Sequence, residues 1–355
     1  MLLAEGLKYA GMLVNEGPSY IVLFVTARCN LLCDHCFYTD EIQAADRAKE
    51  LSLDEYEKVS AKAGRIWFMN LTGGEPFIRD DLPEIATLFA RNNGCTMFTI
   101  PSNGFMTERT VELCRRMFKA NPKVNFRIGV SLDDIGDAHD RIRNMPGAFK
   151  NAIATIEALK GLRRDFSNFA IESPTCLNAS NKDHIEEIQR YKEGLGLDAS
   201  SVNLIRGDPK VPALKDVSAA EFKDYVDRNP YKIGRLSNAP LFSAMRNVTY
   251  ERIHRALLDP EKRSFKCFAM NKMVVIAENG DVRDCELLHG VAGNLRDHGY
   301  DLRAALATDE GKRLRKDIED EKCACTWECG IQNGVVFNPR EYPAIVKELV
   351  KFYAA

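Results

Sequence analysis

The 355-residue chain has no apolar run approaching the roughly 18 residues that a membrane span needs, so no spanning helix is expected. It also lacks a charge imbalance. Its 49 Lys and Arg against 51 Asp and Glu give a net charge of -2. That argues against a surface built for nucleic acid. The local basic run Lys312-Arg313-Leu314-Arg315-Lys316 sits in a helical pattern beside acidic residues and reads as a solvated helix face. No internal repeat and no low-complexity segment is present. The N-terminus lacks the basic region and cleavage site of a signal peptide. Leu3 and Leu7 lie there at helical spacing, so residues 1–18 read as a docking helix. Cysteine is not scarce, at eleven residues. Clustered cysteines in a long chain without an export signal point to metal in a reducing compartment, not to disulfides. A cytoplasmic protein with neither nucleic-acid nor membrane partners is expected.

Ser19 to Thr26 is an almost continuous β-branched, aliphatic and aromatic run, which fits a strand buried on both faces. Similar strands are expected near 66–71, 95–101, 124–131, 168–174 and 201–206. Helical patterns fall between them at 52–63, 81–93, 107–120, 147–163 and 182–193. Ser52 with Glu55 forms a capping-box start. Strands alternating with helices argue for a parallel α/β sheet. Residues 207–262 break the pattern at Gly207-Asp208-Pro209 and then carry helices around 218–228 and 241–258, a connector expected to help shape a substrate pocket. Lys272–Ala277 and Asp281–Cys285 flank Asn279-Gly280, a strong hairpin signal. A closing helix is expected in the tail, 336–355.

The most informative motif is Cys29-Asn30-Leu31-Leu32-Cys33-Asp34-His35-Cys36, a C-x3-C-x2-C spacing directly after the first strand. A cubane iron–sulfur cluster normally takes four thiolates. Three close ligands leave one iron open, and an open metal position marks catalysis. The alternatives are a zinc site or three incidental thiols. The spacing resembles the radical S-adenosylmethionine (radical SAM) superfamily, in which the open iron chelates the methionine end of SAM. That resemblance implies a partial (βα)6 TIM-like barrel over 19–206, with its site at the C-terminal ends of the strands.

Further motifs carry the same resemblance. His35 occupies a slot usually held by an aromatic residue near the adenine, and Phe37 follows. Thr72-Gly73-Gly74-Glu75-Pro76 resembles the motif that holds the SAM amino group: glycines allow close backbone approach, and a carboxylate accepts from a cationic amine. Ser102-Asn103-Gly104 resembles a strand end where polar groups approach SAM. Ser131-Leu132-Asp133 followed by His139-Asp140-Arg141-Ile142-Arg143 resembles a segment whose serine contacts SAM. Its arginine can clamp a carboxylate, or Arg141 or Arg143 pairs with Asp133, Asp134 or Asp140 instead. Ile205, at the sixth strand's end, corresponds to a position reaching the adenine.

Cys267, twelve residues, Gly280, four residues and Cys285 resemble the start of a SPASM or shorter twitch module, which binds auxiliary clusters. Cys323, Cys325 and Cys329 follow. Five cysteines serve one 4Fe–4S cluster, and which of Cys323 and Cys325 ligates stays open. A twitch-like module over 263–335, a small β-hairpin and helix unit, is therefore expected. Glu286 and Glu172 are candidate general bases. Cys95, Cys114 and Cys176 read as core.

The resemblance implies reductive cleavage of SAM and hydrogen abstraction from a substrate C–H, with the auxiliary cluster accepting an electron or binding substrate. A flavodoxin- or ferredoxin-type donor is implied. Only about 18 residues precede the first strand. That favours a small metabolite or sugar over a ribosomally made peptide. A non-catalytic cluster scaffold is the reading of another class, and it would have no use for a SAM pocket.

Overall fold

Six apolar segments become six parallel strands because helices cover one face and the barrel interior takes the other. A computed structural model describes residues 11, 15, 17–234, 239–320, 323 and 325–354. The docking helix expected over 1–18 falls mostly outside those residues. The strands are β1 (Tyr20–Thr26), β2 (Phe68–Gly73), β3 (Met97–Ser102), β4 (Asn125–Val130), β5 (Phe169–Leu177) and β6 (Ala199–Leu204). Each pairs in parallel with the next. Helices α1 (Leu53–Lys62), α2 (Leu82–Asn93), α3 (Thr107–Ala120), α4 (Ala148–Gly161) and α5 (Ile185–Glu193) alternate with them, as the apolar periodicity implies. The expected capping box at Ser52 and Glu55 starts α1. Ile21, Val22, Leu23 and Val25 are fully buried, as a strand covered on both faces requires.

The sheet does not stop at six strands. β7 (Met273–Ile276), β8 (Asp281–Arg283) and β9 (Val291–Asn294) extend it past β1. The hairpin expected around Asn279-Gly280 is present, pairing Ile276 with Val282 and Val275 with Arg283. Its first strand runs parallel to β1, with Tyr20 opposite Met273. The C-terminal cysteine segment is therefore joined to the barrel through backbone hydrogen bonds.

The helices expected in the connector and tail are α6 (Ala219–Arg228), α7 (Ala239–Leu258) and, after α8 (Asp309–Glu319) and α9 (Glu328–Phe337), α10 (Tyr342–Ala354). Helix α7 packs against α6, α9 and α10. Its Phe242 meets Phe68 of β2 edge-on at 5.8 Å. Together α7 and α9 roof the barrel interior. The basic run lies on α8, where Arg313 pairs with Glu310 and Asp317 on the solvent face. Among the described residues, no helix is long and apolar enough to cross a membrane.

Candidate active site

The loop leaving β1 carries Cys29, Cys33 and Cys36 and is fixed from several sides. The carboxylate of Glu50 accepts from Arg28 Nε at 2.9 Å and from the Thr26 hydroxyl. Asn144 Nδ2 donates to the Leu32 carbonyl at 2.9 Å. The end of β2 braces the loop from below. Gly74 N–H donates to the Thr26 carbonyl and Glu75 N–H to the Arg28 carbonyl, both at 2.9 Å. A Cβ on Gly73 would lie 2.0 Å from the Thr26 oxygen, and one on Gly74 would lie 2.3 Å from the Arg28 oxygen. The two glycines therefore let one strand end press against the cysteine loop. The same two glycines also line the cavity beside the thiols.

Burial pushes the Cys29 thiol up to about 12 and the Cys33 thiol up to about 11. Such thiols stay protonated and inert unless a cationic centre displaces their protons, as a coordinating metal does. Leu31 N–H and Tyr38 N–H point at the Cys29 and Cys36 sulfurs, each at 3.4 Å. Arg143 Nη1 lies 3.8 Å from the Cys33 sulfur. Donors aimed at sulfur suit thiolates sharing a cluster and tune its potential. Among the described residues, no three His, Cys, Asp or Glu side chains converge closely enough for a single metal ion.

A cavity of about 230 Å³ opens beside these thiols. It is lined by the three cysteines and by His35, Phe37, Gly73, Gly74, Glu75, Ser102, Asn103, Ser131, Asp133, Arg143, Ile205 and Glu286, bringing nearly all the expected SAM residues together. Pro76 is the exception: it is buried in the 3-10 turn Pro76–Ile78 that Glu75 caps. Cys176 lines the cavity too, and is not simply core as its strand position suggested. Cys95 and Cys114 are buried in the core as expected.

Glu75 is 1% exposed and accepts from Ser102 Oγ at 3.0 Å and from Asn103 N–H at 2.7 Å. No cation pairs with it among the described residues. Burial consequently raises it to about 7. This is the position an ammonium group would relieve. Asp133 forms an ion pair with Arg143 Nη2 at 2.6 Å and accepts a hydrogen bond from Cys176 N–H at 2.8 Å. Burial opposes its ionisation, but Arg143 outweighs that and holds it ionised. Arg143 thus pairs with Asp133, one of the two alternatives, and its fork also faces Cys33. Burial lowers His35 to about 4, so its ring is neutral.

A second cavity, of about 190 Å³, fills the barrel lumen and shares Thr72, Pro101, Pro174, Asn203 and Arg206 with the first. Arg206, which the strand pattern did not single out, stands between the two. It donates to Glu286 at 3.1 Å and to Glu328 at 3.4 Å. Glu286 is raised by burial, with Arg206 offsetting only part of that. Glu172 lines the lumen but is locked to Arg127, whose charge contributes to holding it ionised despite burial. Both carboxylates are paired with an arginine, but Glu286 is left raised whereas Glu172 is lowered, which makes Glu286 the more basic of the two.

Among the C-terminal cysteines, Ala269 N–H and Leu287 N–H point at the Cys267 and Cys285 sulfurs at 3.5 Å, matching the first loop. Burial raises the Cys267, Cys285 and Cys325 thiols, and neighbouring thiols of the same group, Cys323 among them, add to it. Cys329, in the first turn of α9, is raised to about 12 by burial, with Glu328, Glu286 and Arg206 as the charges nearest it, and it lines the lumen.

Residues 23–191 match the Radical SAM superfamily model. The chain is 26% identical over 325 residues to the AdoMet-dependent heme synthase of Methanosarcina barkeri (strain Fusaro / DSM 804), covering 88% of each chain. It is 24% identical over 332 residues to the antilisterial bacteriocin subtilosin biosynthesis protein AlbA of Bacillus subtilis (strain 168), covering 88% of this chain and 66% of that protein. A solved structure of native anSMEcpe with bound AdoMet and Cp18Cys peptide aligns with a TM-score of 0.58 at 14% identity, covering 94% of this chain and 96% of that one. That likeness bears on the fold.

Proposed function

This chain is a radical SAM enzyme with its superfamily domain over residues 23–191, and on that premise we propose that it oxidises a C–H position of a small polar metabolite seated in the barrel lumen. The observation that carries this reading is the continuity of the two cavities through Thr72, Pro101, Pro174, Asn203 and Arg206. A substrate in the lumen would lie beside SAM and away from bulk water, and such placement decides which hydrogen is removed. When bound, a 4Fe–4S cluster and SAM supply one-electron cleavage of a C–S bond and hence a carbon radical able to take a hydrogen atom.

Cys29, Cys33 and Cys36 would hold that cluster. Glu75 and the Ser102–Asn103 strand end would receive the SAM ammonium, while Phe37 and Ile205 pack at the adenine end. Arg143, paired with Asp133 and 3.8 Å from the Cys33 sulfur, would lie beside both groups. Glu286 would accept a proton from substrate. Cys267, Cys285, Cys323 and Cys325 would hold one auxiliary 4Fe–4S cluster able to take the second electron. A flavodoxin- or ferredoxin-type protein would deliver the first.

A peptide substrate is the second reading, favoured by the likeness to AlbA and to the peptide-bound anSMEcpe structure. The test uses anaerobically reconstituted protein with dithionite and SAM. Formation of 5′-deoxyadenosine that disappears when Cys29, Cys33 and Cys36 become Ala supports the enzyme. Intact clusters without cleavage would instead indicate a scaffold or electron carrier. Stimulation of cleavage by peptides but not by small acids would transfer the proposal to the second reading.

A further inference from the structure

The charges lining the lumen do not all have partners. Three arginines reach it: Arg127, Arg206 and Arg246. Arg127 is bound to Glu172 and donates to the Tyr231 hydroxyl at 2.9 Å. Arg206 is bound to Glu286 and Glu328. Arg246, on α7, has no carboxylate within ion-pair distance among the described residues, and its buried Nη1 has no hydrogen-bond acceptor. Its guanidinium lies 5.6 Å from the Tyr231 ring and 5.9 Å from the Tyr250 ring. Aromatic faces steady a cation without neutralising it. The phenol oxygens are turned elsewhere, Tyr231 to Arg127 and Tyr250 to the Val202 N–H at 3.2 Å.

Glu172 and Glu328 favour the Arg246 charge only from beyond ion-pair distance, so a buried guanidinium without a direct acceptor gains most when an anion enters the cavity. We propose that Arg246 anchors a carboxylate of the substrate, with the planar fork donating to both oxygens. The amide oxygens of Asn70 and Asn203, also buried and without donors, face the same lumen. They suit an acid that also carries N–H or O–H groups. This proposal rests on the lumen being the substrate site, as argued above, and names the chemistry that site selects. Carboxylates engage Arg in a bidentate manner, which Lys cannot reproduce.

The test titrates 3-phenylpropionate, 3-phenylpropanamide and inorganic phosphate into cluster-loaded, SAM-bound protein by calorimetry. The acid is expected to bind about tenfold or more tightly than the amide. Arg246→Gln should erase that preference and Arg246→Lys should keep a weakened form of it. Iron content and circular dichroism of both variants establish that they fold. Equal affinity for acid and amide, no binding of either at millimolar concentration, or a preference that survives in Arg246→Gln overturns the proposal. Phosphate that binds as tightly and displaces the acid overturns the carboxylate assignment in favour of a phosphoryl group. Wild-type protein that makes no 5′-deoxyadenosine would defeat the enzyme reading itself. Wild-type protein that cleaves SAM but does not distinguish acid from amide defeats only the role of Arg246.

Discussion

The Arg206 guanidinium meets the Glu286 carboxylate at 3.1 Å on the wall shared by the SAM cavity and the lumen. Its other arm reaches Glu328 at 3.4 Å, and its face lies 4.8 Å from the Phe37 ring centroid. One cation thereby ties the cofactor side to the substrate side. Burial raises Glu286 above the usual carboxylate range, and Arg206 only partly opposes it. A base must be ionised to act, so turnover is expected to fall as pH drops through that raised pKa. The acidic limb of the rate profile should lie above the range of an ordinary Glu. Glu286→Gln should lower product formation by roughly 10²–10⁴ while SAM cleavage persists. Product and 5′-deoxyadenosine measured together check this, and undiminished product in the variant would remove Glu286 from the chemistry.

Glu75 gives a second pH dependence with the opposite consequence for the SAM-free protein. Its pKa rises from 4.5 to about 7 on folding because burial disfavours the charge. The associated stability is therefore fully present below about pH 4.5 and is lost as pH climbs through about 7, by about 3 kcal/mol in total. A bound ammonium reverses the preference. SAM binding at pH 6 should release a proton, and affinity should rise between pH 6 and 8. Calorimetry in buffers of different ionisation enthalpy measures the proton, and Glu75→Gln should abolish it.

β1 was legible in the sequence because it is covered on both faces, which leaves the unbroken apolar run Ile21–Val25, while β2 and β6, with polar residues such as Asn70 and Asn203, were read from their alternation with helices. The cysteine loop and the turn after β2 were legible because their chemistry is local. The pairing of β7 with β1 was not, since Met273 meets Tyr20 across some 250 residues and nothing in either segment names its partner. Arg246 was hidden for a related reason. Helix α7 is covered by α6, α9 and α10 and roofs the lumen, so its apolar residues do not form one stripe from which a polar exception stands out. Arg206 offered only a weak signal, a single cation after the apolar end of β6.

Gly74→Ala tests the brace beneath the cluster loop. The added Cβ would sit 2.3 Å from the Arg28 carbonyl oxygen and 2.6 Å from that of Ala27, both backbone atoms that cannot rotate away. Overpacking of this kind costs roughly 1–3 kcal/mol. The strain falls on the residue next to Cys29. Iron retained at the first cluster should drop more steeply than global stability does. Urea unfolding followed alongside iron content separates the two, and a variant that loses stability while keeping full iron would show that the brace does not position the thiols.

Cys329 supplies the last prediction, because five C-terminal thiols compete for the four places on one cubane. Beyond burial, Cys267, Cys285 and Cys325 each feel neighbouring C-terminal thiols, whereas the charges acting on Cys329 are Glu328, Glu286 and Arg206 on the lumen side. Reconstituted protein should carry about eight irons, and about four after Cys29, Cys33 and Cys36 are changed to Ala. Cys325→Ala should also fall to about four, while Cys329→Ala should keep about eight. If Cys329→Ala loses the second cluster and Cys323→Ala does not, the ligand set shifts by one residue. The auxiliary cluster would then have a ligand on the lumen wall beside Glu328. A Cys329→Ala variant with full iron but altered turnover would instead mark that thiol as part of the substrate wall.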